Sequence, residues 1–84
     1  MPISPESVTD ASRFLREVLR EKRLFANIKQ SDLAKTLGHY QSFVSKYESG
    51  ERRLDVIELR SVCEALGTSI EEVLSDVDKR QSKD

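Results

Sequence analysis

The sequence predicts an all-α protein, a compact bundle of four to five helices, and three observations carry that expectation. Apolar residues recur at helical spacing in successive segments. Glycines and capping residues separate those segments. No segment alternates apolar and polar residues for long enough to make a strand. The 84 residues suit one domain, and a hydrophobic content of 37% is enough for one modest core. So small a domain buries a limited share of its surface, and self-association would add to a thin stability margin.

Residues 1–8, with Pro2, Pro5 and several serines, read as a flexible arm. Thr9 or Asp10 can cap a first helix, because either side-chain oxygen accepts a free amide hydrogen. That helix runs to about Arg23, with Ala11, Phe14, Leu15 and Val18 on one apolar face and Arg13, Arg16, Arg20 and Arg23 mostly off it. Leu24 to Lys29 is a connector of no evident shape. A second helix fits Gln30–Leu37, with Leu33, Ala34 and Leu37 inward. Gly38 ends it, since glycine enters the left-handed conformation at least cost. A third helix fits Gln41–Glu48, with Val44 and Tyr47 inward and Ser49-Gly50 as its stop. A fourth fits Asp55–Leu66 on a stripe of Val56, Leu59, Val62, Cys63 and Leu66, and Gly67 stops it. Ser69 and Glu72 have capping-box spacing for a fifth helix, whose inner face is Ile70, Val73, Leu74 and Val77. Residues 78–84 form a polar tail, so the folded domain is expected over 9–77. There are no internal repeats.

The net charge is −1 and the pI about 5.8, which taken globally argues against a nucleic-acid partner. The distribution differs from the total. Residues 13–53 carry ten Lys/Arg against five Asp/Glu, whereas residues 54–84 carry four against eight. Such a chain either presents a cationic face to phosphates or has two ordinary solvated halves. Its one cysteine, Cys63, lies on an apolar stripe and cannot make an internal disulfide, which suits a reducing compartment. No apolar run approaches the roughly 20 residues of a membrane span. Residues 1–10 lack the basic and apolar regions of a signal peptide. A cytoplasmic protein is expected, with no membrane partner.

No catalytic nucleophile–base set, phosphate-binding loop or metal cluster is recognisable, so neither an enzyme nor a cofactor is expected. His39 is the one histidine, and a metal site needs several ligands. The acidic pairs Glu71-Glu72 and Asp76-Asp78 fit helix-start stabilisation and solubility.

The informative stretch is QSDLAKTLGHYQSFVSKYESG, residues 30–50, where two short helices are joined by a tight turn at Gly38. Ala34 is small where the helices must approach closely. Leu33, Leu37, Val44 and Tyr47 can bury the joint. That leaves Gln41, Ser42, Ser45 and Lys46 on the outside of the later helix, and these polar groups can reach base edges in a major groove.

At these residues the sequence resembles the phage-repressor-type (Cro-like, XRE) helix-turn-helix family. The likeness extends over about residues 14–77, through QSDLAKTLG, QSFVSKYESGERRL, Leu66-Gly67 and SIEEVL. It implies a DNA-binding domain fold of the phage-repressor type, with double-stranded DNA as partner. Gln41 then matches a base-reading position, and Ser42, Ser45 and Lys46 match its groove-facing neighbours. Gln30 matches a position that contacts the DNA backbone and braces the recognition helix, with a side chain long enough to reach Gln41. Arg52 and Arg53 lie in a loop that rests against phosphates. Glu48 matches a glutamate that pairs with a first-helix arginine, here Arg20, Arg23 or neither. Phe43 either touches a thymine methyl or sugar, or folds back onto the second helix. Tyr40 either places its hydroxyl on phosphate or packs over the turn.

The chain departs from the family pattern in three places. The connector LFANIK is about four residues longer than usual, and Lys29 and Tyr40 stand where capping residues are common. The expected function is sequence-specific transcriptional regulation, in the simplest form repression by a homodimer on a two-fold operator. Val73, Leu74 and Val77 are expected to supply surface for the second copy. The alternatives are an antitoxin or restriction-modification control protein on the same fold, or a protein-interaction module that has lost DNA binding. No small-molecule effector is evident.

Overall fold

The computed structural model describes the backbone of residues 5–82 and the side chains of residues 9–82. Five helices follow one another: α1 (Pro5–Phe25), α2 (Gln30–Leu37), α3 (Gln41–Ser49), α4 (Val56–Ala65) and α5 (Ile70–Gln81). No strand occurs among the described residues, as the lack of period-two alternation requires.

Helix α1 is longer than its capping residues suggest. It starts at Pro5 rather than after Thr9 or Asp10, so residues 5–8 are helical and not part of a loose arm. Proline suits a first helical position, where no intrahelical partner is lost. Residues 1–4 lie outside the described residues. At the other end the helix absorbs Leu24 and Phe25 from the connector, and Asn27 stops it at φ 60°. Asparagine tolerates that left-handed conformation better than most residues. The amide of Ile28 bonds the carbonyl of Arg23, and that of Asn27 bonds Leu24. This is the paired closure usually built on glycine, and Gly38 and Gly67 close α2 and α4 with the same two bonds.

The later helices have contrasting starts. Asp55 caps α4 in a reciprocal capping box with Glu58, and Ser69 accepts the amide of Glu72 to cap α5. Lys29 and Tyr40, before α2 and α3, make no side-chain cap, as their chemistry dictates. Helix α5 runs on to Gln81, four residues into the expected tail, because Arg80 bonds Glu17 and Glu21 of α1. Lys22 and Asp76 add a second α1–α5 link at 3.3 Å.

The core lies where α1 packs on α5 and α3, α2 packs on α3 and α4, and α4 meets α5. Leu19, Val44, Val62 and Val73 are fully buried, and Val18, Leu33, Ala34, Tyr47, Cys63 and Val77 nearly so. Two expectations fail here. Val56 is exposed rather than part of the α4 stripe, because it is the first helical residue and lies short of the neighbouring helices. In α5, Val73 and Val77 are consumed by the chain's own core, which leaves Leu74 as the one exposed member of the trio expected to face a second copy. No described helix is long and apolar enough to cross a membrane.

Candidate nucleic-acid interface

Helix α3 has one face committed to the core and one left bare. Val44 and Tyr47 point inward, while Gln41, Ser42 and Lys46 are exposed and Ser45 is half-buried. The four bare positions are related by three or four residues, so they share one strip of helix surface. Ser45 turns its hydroxyl onto the carbonyl of Ser42 at 3.3 Å. Gln41, Ser42 and Lys46 spend no side-chain group on the fold. The sequence-based assignment of this strip therefore coincides with a connected polar surface.

The far end of α3 is fixed instead of bare. Glu48 accepts from Arg23 at 2.7 and 3.0 Å and from Gln30 at 2.9 Å. Arg23 also donates to the carbonyl of Ile28 at 2.8 Å. Both charged side chains are more than nine-tenths buried. The first-helix partner of Glu48 is thus Arg23 and not Arg20. The Glu48 carboxylate holds the Arg23 guanidinium pKa above its ordinary value, against the opposing effect of burial. Gln30 does brace α3, but through Glu48 and not through Gln41. The link forms because Gln30 and Glu48 both face Arg23.

Phe43 is corrected from a possible DNA contact to a packing residue. Its ring is only 8% exposed. It stacks on His39 with centroids 4.0 Å apart, meets Tyr47 edge-on at 5.7 Å, and lies under the Arg52 guanidinium at 4.6 Å. Neither an apolar contact to thymine nor simple return to α2 describes it: the ring is enclosed by the turn, its own helix and the loop after that helix. His39 finds its role in the same stack. Tyr40 is 87% exposed, so it does not pack over the turn, and its hydroxyl has no partner among the described residues.

The loop arginines part company. Arg52 makes a two-pronged pair with Glu58 at 3.1 and 2.7 Å and donates to the carbonyl of Arg53. It holds the Glu58 carboxyl down at about 2, helped by the amide of Asp55. Its charge is largely compensated by Glu58. Arg53 is exposed and has no side-chain partner among the described residues. Glu58 is a residue that sequence reasoning passed over, although the Asp55-x-x-Glu58 spacing of a capping box was there to be read. Cys63 is buried, which raises its thiol pKa and makes the sulfur inert.

Two short helices at a tight glycine turn, the later one presenting a polar strip, define a helix-turn-helix protein. A helix-turn-helix family model matches residues 19–73, and the chain belongs to that family, in its XRE-type branch of DNA-binding transcriptional regulators. Among solved structures it is similar to an XRE-family-like protein from Pseudomonas syringae, with 42% identity, 89% of this chain and 93% of that one covered, and a TM-score of 0.79. It is also similar to the clp gene regulator ClgR of Corynebacterium glutamicum, with 28% identity, 82% and 88% covered, and a TM-score of 0.76. No curated protein sequence matches it.

Proposed function

We propose that this protein represses transcription by occupying a double-stranded operator, with α3 in the major groove. The observation that carries this is the strip Gln41, Ser42, Ser45 and Lys46: polar, contiguous and, apart from the Ser45 hydroxyl on the Ser42 carbonyl, with no side-chain partner among the described residues. The likeness to a protein described as a gene regulator supports the regulatory role. In this docking mode the first turn of the recognition helix points deepest into the groove. Gln41 occupies that turn, and its amide offers one donor and one acceptor, matching adenine N6 and N7 at about 1–3 kcal/mol of discrimination. Arg53 and the Tyr40 hydroxyl take the backbone, with Arg52 in support and Gln30 acting through Glu48. Phosphate contacts set position, and the strip sets sequence preference.

The acting form is a homodimer, since one short helix reads only a few base pairs. Val56 and Ile57 are exposed and adjacent at the start of α4. They follow directly on the loop of Arg53, and Ile57→Glu should shift sedimentation toward monomer more than Leu74→Glu.

Selection of bound duplexes from random sequence supplies the operator for the decisive test. Gln41→Ala should then lower operator affinity by about tenfold or more and relax preference at one position per half-site, with binding to random DNA nearly unchanged. Equal loss on both DNAs, or no loss on either, removes Gln41 as the reader.

A further inference from the structure

We infer that the cleft between α1 and the end of α3 is a binding site for a small organic anion with an apolar body, of the class of medium-chain or aromatic carboxylates. The cleft has a volume of about 320 Å³, within the range of small-molecule sites. Four arginines line it, Arg13, Arg16, Arg52 and Arg53, and no described acidic residue does. Two of them are already matched: Arg13 lies near Asp10 and Glu17, and Arg52 is clamped by Glu58. Arg16 and Arg53 have no acidic partner among the described residues.

The Arg16 guanidinium lies against Gly50, where a Cβ would meet its Cζ at 3.0 Å. That places it near the C-terminal end of α3, whose dipole favours a cation. A guanidinium takes a carboxylate in a forked pair of charge-assisted hydrogen bonds.

The rest of the lining is what separates this site from a simple phosphate contact. Leu15 and Leu54, both half-buried, give it apolar walls, backed by the buried Leu19 and Tyr47. A DNA phosphate would meet the arginines and leave the apolar walls wet. A carboxylate on a hydrocarbon or aromatic body uses both. The site touches the end of α3 and the Arg53 loop, yet its existence does not depend on DNA binding.

The test is an amide-resolved NMR titration of the full chain, without DNA, with octanoate, octanol and inorganic phosphate as separate probes. Octanoate should give saturable shifts confined to Ser12, Leu15, Arg16, Gly50 and Leu54, and should bind about tenfold or more tightly than either of the other probes. Arg16→Gln should weaken octanoate by about tenfold, and Arg53→Gln, at an exposed position, should act in the same direction. Absence of saturable shifts overturns the inference. So does octanol binding as well as octanoate, which makes the cleft merely greasy. Inorganic phosphate binding as well as octanoate assigns the arginines to nucleic-acid backbone and also overturns it. Octanoate binding unchanged in both variants does the same.

Discussion

The two ends of α3 are built on opposite terms. At its start, Tyr40 supplies no cap, and the Gln41 and Ser42 side chains stand in solvent without partners among the described residues. At its end, Glu48 is gripped by Arg23 and Gln30, and Gly50 is covered by Arg16. The difference shows how a short helix presents groups it does not use. Orientation is set at the end remote from the proposed contact and by the buried Phe43, which leaves Gln41 and Ser42 free of structural duty. Substitutions at the two ends should therefore separate stability from binding.

The largest effect is expected at the fixed end. Arg23→Ala strands the buried Glu48 carboxylate and should cost about 3–5 kcal/mol in urea unfolding. Gln41→Ala should stay within about 0.5 kcal/mol in the same assay. Equal losses at the two positions would break the comparison.

Next comes the joint that carries α3. Ala34 is 1% exposed between α2 and α3, and Ala34→Leu should overpack it by roughly 1–3 kcal/mol. Thermal unfolding at the wild-type temperature would mean that the helices do not cross closely there.

A gain is expected in the middle of α3. Burial, with the nearby Glu48 charge second, raises the Tyr47 hydroxyl pKa, and no partner offsets its desolvation. Tyr47→Phe should raise stability by up to about 1 kcal/mol, part of what an unsatisfied buried group costs. A loss of that size would show that the hydroxyl is bonded in solution.

The smallest effect sharpens the loop. Because the folded pKa of Glu58 is about 2, depressed from 4.5, its contribution is present above the unfolded value and fades as pH falls from 4.5 towards 2. Glu58→Gln should flatten acid unfolding over that window. By releasing Arg52 it should also steepen the salt dependence of DNA binding by about one ion. An unaltered salt slope would show that Arg52 reaches phosphate despite Glu58.

Periodicity located every helix, because each buries one stripe and the glycines at 38, 50 and 67 close their ends in the left-handed conformation. The bare strip of α3 was legible for the same reason: what is not needed inside is found outside. Three things were not. Asn27 closes α1 as a glycine would, and asparagine is a weaker stop signal, so the connector had no readable shape. Arg23 is buried despite its charge, since only the arrival of Glu48, 25 residues on, makes its burial tolerable. Phe43 breaks the polar pattern of an outer face because the loop folds Arg52 back over it. All three depend on contacts or conformations that local pattern does not encode.

The pairing of α1 with α5 has a consequence for the order of events during synthesis. Arg80 meets Glu17 and Glu21 across 63 and 59 residues of chain, and closing such a loop pays its entropy before any contact returns it. Helix α1 leaves the ribosome before α5 and is covered by it only later. Until α5 follows, the face of α1 that includes Val18 is without its final cover, and the nascent chain is open to association through it. A delay in completing the fifth helix should be felt first as aggregation through the first.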